Sequence, residues 1–572
     1  MIDIVFLHAP SVYDFRKRAT LWGPISDLVP STPIFEMYPI GFSTLLAYLQ
    51  QHGYRVRIVN LAARMERSAR FDAEKLIANL ESRAYGIDLH WLPHAHGSLE
   101  IARLVKKYHP DKPVIFGGYS SSYFHEELIR YPWVDYVLRG DSTEAAELRL
   151  LEHIIDGTPP RDVPNLTWKD AEGNVHVNPQ SYVPDNLDHL TLDYREVVRS
   201  VVRDRDLLNY IPFSHWPDYP IMAALTVKGC TQNCTICGGS AFAARKLSNR
   251  QRPAYRSPEK LAEDVRRMGA ISHAPVFILG DLRQAGMDYA RRFFRAVQGF
   301  RGSVIVEFFW PTDRAYMEEL AAALPNFFVE FSPESHDPQV RRASGKGYSN
   351  RGIERTIEAS LAVGARRFDL FFMIGMPRQT AQSVLETVDY SRALLERFPD
   401  GRLIPFISPL APFLDPGSRG YEMPDRYGYL VHARTLEAHR RLLLQPSWKY
   451  ILSYETRWLD RHTLAEITYE AGYRLNRLKR EFGLVSAAKA EETERRIAEA
   501  RHLMAVIDGL MARYEGVELE RHLAPLADRI RAANTSTVCD KSELDVKVGP
   551  IPFKLLNLAR IGAPALLEGL FG

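Results

Sequence analysis

Short, continuously apolar runs alternate with amphipathic stretches over the first 150 or so residues. Runs at 3–7, 55–60, 85–89, 114–116 and 136–138 predict strands, and the stretches 41–52 and 98–108 predict helices. Strands that are apolar on both faces belong in a parallel sheet covered by helices on either side. Residues 1–155 therefore read as a doubly wound, Rossmann-like α/β domain. Ligands of such sheets bind beyond the carboxyl ends of the strands. Those ends carry His8-Ala9-Pro10, His90 through Gly97, Gly117-Gly118-Tyr119-Ser120 and Arg139-Gly140-Asp141. The paired glycines allow the backbone to approach a bulky ligand closely.

Residues 156–215 hold Pro159, Pro160, Pro164, Pro179 and Pro184 with little periodicity, and read as a linker with a small hairpin around Gly173-Asn174. A second alternation follows, with strands at 222–227, 276–279, 304–309, 327–331, 368–374 and 403–407. Helices are predicted between them at 258–268, 288–300, 314–324, 350–362 and 380–396. Residues 216–424 thus suit a full or partial β/α barrel of TIM type, whose site lies at the C-terminal mouth. Beyond it, helical patterns at 437–444, 461–482 and 486–514 predict a mostly helical unit over 425–572. That unit is expected to close over the substrate, with Trp448, Tyr450, Tyr454, Glu455, Trp458, Tyr469 and Tyr473 as candidate lining groups, most of which are expected to be core. The tail places Phe553, Leu555, Leu556, Leu558, Ile561, Leu566, Leu567 and Leu570 at near-helical spacing. Packing on the core is the expected use, with a lipid-facing amphipathic element as the alternative.

Composition adds exclusions. With 46% hydrophobic and 25% charged residues over 572 positions, the chain is ordinary globular protein of several domains. A net charge of +3 gives no field that argues for a polyanion, so no nucleic-acid partner is expected. No apolar run approaches membrane-spanning length and no basic leader opens the chain, which predicts a cytoplasmic protein without a transmembrane segment, peripheral to a membrane only through its tail.

Of four cysteines, Cys230, Cys234 and Cys237 fall within eight residues, which is no disulfide framework but a ligand set for a metal or cluster. They follow a predicted strand directly, at the barrel mouth. Three thiolates leave a fourth position open on a 4Fe-4S cluster, and such clusters reach potentials as low as about −700 mV. Structural zinc would want a fourth protein ligand, and His215 and His273 are poorly placed to give one.

The spacing Cx3Cx2C after the first barrel strand resembles the radical SAM superfamily. The resemblance implies that Cys230, Cys234 and Cys237 hold a 4Fe-4S cluster whose open iron binds S-adenosyl-L-methionine (SAM) and cleaves it to a 5′-deoxyadenosyl radical. Ile236 stands where that family packs a residue on the adenine, Gly280-Asp281 near the methionine amino group, and Glu334-Ser335 near the ribose. Lys346-Gly347 and Gly375-Met-Pro377-Arg-Gln-Thr380 complete its usual signposts.

The first domain resembles the cobalamin-binding domain fused to one large branch of these enzymes. There Gly117-Gly118 would make room for the nucleotide tail of cobalamin, and Arg139-Gly140-Asp141 match a Gly-Glu loop with Asp for Glu. Pro10, Tyr119 and Ser120 are further candidate contacts at the strand ends. No Asp-x-His-x-x-Gly follows the first strand, so base-off cobalamin is expected. His8 is either a group approaching the metal or a hydrogen-bonded loop histidine. His90, His94 and His96 with Trp91 are cobalamin-edge contacts or a polar loop.

The combined resemblance implies a cobalamin-dependent radical SAM enzyme, first of all a methylase of an unactivated carbon. The rivals are a cobalamin-assisted cyclase or rearrangement enzyme and, from another class, a cobalamin-binding sensor with an inert barrel. No residue is singled out as catalytic. The expected partners are a one-electron donor such as a flavodoxin or ferredoxin and a small-molecule substrate, for which a lipid, isoprenoid or tetrapyrrole fits as readily as a peptide or sugar.

Overall fold

The computed structural model describes residues 2–24, 32, 34–410, 412–534, 538–546 and 551–571. Its first sheet has seven strands in the spatial order Val56–Asn60, Ile2–His8, Ser82–Asp88, Val114–Gly117, Tyr136–Leu138, Leu166–Lys169 and Val175–Val177. The first five are parallel, with Leu7 opposite Ile87, Asp88 opposite Gly117 and Gly117 opposite Leu138. Their order reverses between Ile2–His8 and Ser82–Asp88, which makes the carboxyl ends of those two strands the ligand-binding crevice of the sheet. The hairpin expected near Gly173 forms, and it adds the two antiparallel edge strands to this sheet.

The second sheet is open and wholly parallel, in the order Met222–Leu225, Val276–Leu279, Val304–Phe308, Phe327–Glu334, Phe368–Ile374 and Leu403–Pro409. It is a partial barrel, because the last strand does not pair with the first. Helices over the outer face start on side-chain caps, Ser349 for Asn350–Ala362 and a Thr380–Ser383 capping box for Ala381–Arg397. The strand Phe327–Glu334 runs three residues past its predicted end through a register shift between Phe331 and Glu334.

The third unit contains the expected helices Leu436–Leu442, Arg461–Glu481 and Ala487–Met511. Of its candidate aromatic residues, Trp448, Tyr454 and Tyr469 are core, as expected of most of them, and the Trp448 indole N–H donates to the Tyr469 hydroxyl at 2.8 Å, while Trp458 is exposed. A two-stranded ribbon, Tyr429–Val431 with Tyr454–Thr456, was too short to leave a period-two pattern.

The tail forms the helix Leu555–Phe571 and lies on the helix Tyr194–Asp204, where a Cβ at Gly562 would come 3.1 Å from Val202. Phe553 meets Trp216 edge-on at 5.3 Å. One face therefore packs as expected, while Leu555, Leu556, Leu566 and Leu567 are exposed. The side chain of Leu570 lies outside the described residues.

A buried ion pair ties the two sheets together. Arg250 Nε and Nη2 grip Asp141 Oδ2 and Oδ1 at 2.6 and 2.8 Å, and Arg250 Nη1 donates to the Pro184 carbonyl at 2.9 Å. Asp141 follows the fifth strand of the first sheet, and Arg250 follows the helix Ala241–Ser248 of the barrel. The side chains are 2% and 4% exposed, so the pair is desolvated and bidentate. Removing one partner of a buried pair strands the other, at a cost of about 3–5 kcal/mol. Asp141→Ala and Arg250→Ala are each expected to lose about that much unfolding free energy in urea titration, and the double variant less than their sum.

Candidate functional site

The carboxyl ends of the two sheets enclose one cavity of about 570 Å³. Phe6, Leu45, Ile87, Phe116, Leu138, Leu225, Leu279 and Phe309 give it mostly apolar walls. Polar groups enter at a few points: His90, Tyr119, Asp141, Glu144, Glu147, Lys228, Gln284, Cys230 and Cys237.

The cysteine loop begins at Gly229, in the left-handed region at φ +80°, directly after the short strand Val227–Lys228. Cys230 Sγ donates to Gln284 Oε1 at 3.2 Å and accepts from the Gln232 N–H at 3.3 Å. Cys237 Sγ opens on the cavity and accepts from the Gly239 N–H at 3.3 Å. Cys234 sits at the back of the loop, where Gly345, at φ +92°, approaches so closely that a Cβ would lie 2.9 Å from the Asn233 carbonyl and 3.1 Å from Cys234 Cα. Thr235 N–H donates to the Ser344 carbonyl at 3.0 Å, and Gly238 N–H to Asp415 Oδ2 at 2.7 Å. The loop is thus held from both ends of the barrel mouth. Burial pushes the Cys230 thiol up to about 11, reinforced by the neighbouring Cys234 and opposed by the Gln232 N–H, so a cationic metal core is what would hold it as thiolate. Three soft donors of this kind, two of them open to one space, fit a cluster with a vacant position.

The residues expected around SAM divide sharply. Gly280, at φ +90°, is on the cavity wall and admits no side chain, since a Cβ would lie 2.7 Å from Thr226 Oγ1. Its N–H donates to Glu307 at 3.0 Å, and burial raises that carboxyl to about 7. Asp281 is spent elsewhere: its carboxylate takes Arg283 at 2.6 Å and the Phe309 N–H at 3.0 Å. Ile236 is in the core. Glu334, at φ +69°, pairs with Lys346 at 2.6 Å, and Ser335 Oγ accepts from the Asp337 N–H at 3.1 Å. Burial alone would lower Lys346, but Glu334 outweighs it and holds the ammonium charged. Gly375, at φ +98°, packs on Tyr454, whose hydroxyl a Cβ would approach to 2.7 Å, and its carbonyl accepts from the Tyr429 hydroxyl at 3.0 Å. Of this set Gly280 alone lines the cavity.

The first-domain residues divide likewise. His8 is fully buried, with Nδ1 on Asp88 at 2.9 Å and Nε2 on the Phe35 carbonyl at 3.0 Å, so both nitrogens are used and the ring does not reach the cavity. His90 does: its Nδ1 meets the other Asp88 oxygen at 2.6 Å and the ring is on the wall. Burial alone would raise the Asp88 carboxyl, but the two imidazoles outweigh it and hold it well below the usual range. His94 is buried with Nδ1 on the Ala9 carbonyl at 3.0 Å, and burial pushes it down.

Gly117 faces open space, whereas Gly118, at φ +116°, backs onto His90, with a Cβ only 2.5 Å from its Cα. Both glycines line the cavity, and Gly118 in addition leaves room for the His90 backbone behind it. Tyr119, Gly140 and Asp141 are on the wall. Pro10, Ser120 and Arg139 are not: the Pro10 carbonyl covers Gly97, Ser120 is buried against the His90 carbonyl at 3.4 Å, and Arg139 reaches away to the Asn178 carbonyl.

Among the polar lining groups that gave no sequence signal are Asp88, Glu144, Glu147, Lys228 and Gln284. Glu144 accepts from Thr44 at 2.8 Å and pairs with Lys228 at 3.4 Å. Gln284 anchors Cys230, and its Nε2 is buried without a partner. Glu147 is buried with Oε1 unpartnered, and burial raises its carboxyl from 4.5 to about 8. At neutral pH it is an acid that can donate a hydrogen bond into the cavity. Because the folded value is the higher one, the penalty is absent below the unfolded value and grows as pH rises to about 8. Glu147→Gln is therefore expected to match wild type near about pH 4 and to exceed it by on the order of a few kcal/mol near about pH 9, read as urea midpoints.

Comparison with known proteins agrees with this arrangement. The B12 binding domain family matches residues 29–149, and the Radical SAM superfamily matches residues 225–391. The cytidylyl-2-hydroxyethylphosphonate methyltransferase of Streptomyces wedmorensis is 24% identical over 404 residues, 61% of this chain and 72% of that one. The structure of TsrM, a radical S-adenosylmethionine methyltransferase from Kitasatospora setae with cobalamin and a [4Fe-4S] cluster bound, is similar in fold with a TM-score of 0.54 at 15% identity, over 93% of this chain and 99% of that one. OxsB, a cobalamin-dependent S-adenosylmethionine radical enzyme solved with aqua-cobalamin and S-adenosylmethionine, gives 0.51 at 12% identity, over 100% of this chain and 82% of that one. With a parallel sheet matched by the first family facing a partial barrel matched by the second, the chain belongs to the radical SAM enzymes that carry a B12-binding domain.

Proposed function

We propose that this cobalamin-dependent radical SAM enzyme is a methyltransferase that places a methyl group on an unactivated carbon of a small molecule. The observation that carries the reading is the single cavity whose wall contains both the strand-end residues His90, Gly117 and Tyr119 and the thiols of Cys230 and Cys237. The methyltransferase activity in the name of the curated relative supports the reaction class.

In this reading Cys230, Cys234 and Cys237 would hold a 4Fe-4S cluster, Gly280 and Gln284 would border SAM, and His90 and Gly117 would face cobalamin. When bound, these groups would supply the radical and methyl-transfer chemistry. The chain supplies the setting. Its apolar walls exclude water from a reactive carbon centre. Asp88 fixes the His90 ring by taking its Nδ1, leaving Nε2 as the free nitrogen at the crevice of the first sheet. Gln284 Oε1 orients Cys230, which leaves its unpartnered Nε2 as a donor for a carboxylate or carbonyl. Glu147 offers a neutral acid and Lys228 a cation held by Glu144.

Anaerobic protein reconstituted with iron, sulfide and cobalamin is expected to keep a brown iron-sulfur absorbance and a corrin through gel filtration. Cys230→Ala is expected to lose the first and retain the second. Under reduction with SAM, S-adenosylhomocysteine should accompany 5′-deoxyadenosine. Deoxyadenosine with no S-adenosylhomocysteine would assign the chain to cyclisation or rearrangement instead.

A further inference from the structure

We propose that an arginine-walled cleft against the back of the cysteine loop is the docking surface for a small acidic electron-transfer protein. The inference rests on the function proposed above, since it supplies the reductant that a 4Fe-4S centre at Cys230, Cys234 and Cys237 needs.

The cleft, of about 580 Å³, is walled by Arg342, Arg378, Arg419, Arg426 and Arg457. Thr235 of the cysteine loop and Gly345, which presses on Asn233 and Cys234, form its floor. It shares no lining residue with the main cavity, so the loop shows Cys230 and Cys237 to one space and Thr235 to the other. Among the described residues, none of the five arginines has a carboxylate oxygen within 4.0 Å. Arginines elsewhere on the surface do, as with Arg291 and Glu319 at 2.9 Å or Arg392 and Glu481 at 2.6 Å. Five guanidinium groups without an ion partner, of which Arg419 and Arg426 lie over the Tyr427 ring, form a local positive patch on a protein whose net charge is only +3. Arg419 also reaches the loop itself, with Nη1 donating to the Asn233 carbonyl at 3.4 Å.

The charge favours an acidic partner, and the shape favours a protein over a free anion. Four of the arginines are exposed and none is clamped by a buried acceptor, whereas a small-anion site needs convergent, preorganised donors. Transient redox partners use small interfaces that are steered by complementary charge. The exposed Trp458 on the rim gives such an interface an aromatic contact. In the step, one electron leaves the reduced flavin or iron-sulfur group of the donor protein and enters the centre held by the three cysteines. The donor is oxidised by one electron, that centre is reduced by one, and no bond is made or broken.

The test uses the full chain loaded with cluster and cobalamin, with reduced flavodoxin as probe and cluster reduction followed by stopped-flow absorbance and by electron paramagnetic resonance. The variant is Arg342→Glu with Arg457→Glu, both exposed, and the neutral pair Arg342→Gln with Arg457→Gln is its milder counterpart. The bimolecular rate for flavodoxin is expected to fall by about tenfold or more in the charge-reversed variant at about 50 mM salt, by less in the neutral one, and to converge with wild type at about 500 mM. Reduction by methyl viologen, a small cation, should be no slower in either variant. Equal flavodoxin rates and equal salt dependence in wild type and variant would overturn the proposal. Tight binding of pyrophosphate in calorimetry, with flavodoxin rates unchanged by substitution, would overturn it in favour of a small-anion site. Protein that holds no cluster at all would instead refute the function on which the proposal rests.

Discussion

Everything in the site depends on the desolvated grip of Arg250 on Asp141. It joins the loop after the fifth strand of one sheet to the element that follows the cysteine loop of the other, and so it sets the distance between two surfaces that are each incomplete alone. The geometry suits arginine and no other residue, because two parallel N–H groups must meet one carboxylate while a third reaches the Pro184 carbonyl. A buried pair of this kind is poor evidence of high stability but good evidence of a unique arrangement, since any slip of one domain against the other leaves both charges unmet.

Within the space that the grip encloses, polarity is rationed. Aliphatic and aromatic side chains together with glycines make up most of the wall, and several of its polar groups are held by a partner, as His90 is by Asp88 and Lys228 by Glu144, or kept neutral by burial, as Glu147 is. Such a setting strengthens each remaining electrostatic contact, because little solvent is left to screen it. A dry chamber with few competing hydrogen donors is what the radical chemistry proposed above would need.

Much of this was legible from the chain. The two strand-helix alternations left strong patterns, so both sheets and most of their helices stand where periodicity put them, and the cysteine spacing with its downstream signposts identified the family. Less legible was the orientation of individual side chains. His8 is the hydrogen-bonded histidine of its two readings, taken by Asp88, and Asp281 is taken by Arg283; which partner each would meet leaves no trace in local spacing. Gly375 and Ser335 belong to recognisable motifs but serve turns and packing. Glu147 and Gln284 were invisible for the opposite reason, since a glutamate on an amphipathic helix and a glutamine in a loop look solvated until another domain covers them. Of the aromatic residues of the helical unit, Trp448, Tyr454 and Tyr469 are core, and Tyr454 packs on Gly375.

The cysteine loop is a partition one chain thick. Gly345, with no side chain to hold the two layers apart, brings the far space to within van der Waals reach of the Cys234 backbone. On the docking proposed above, two routes would converge on a single prosthetic centre without crossing, organic molecules from the greasy compartment and reducing equivalents through the wall. An occupied compartment would then need no vacating for recharging, and the order in which fuel and cargo arrive would be left free.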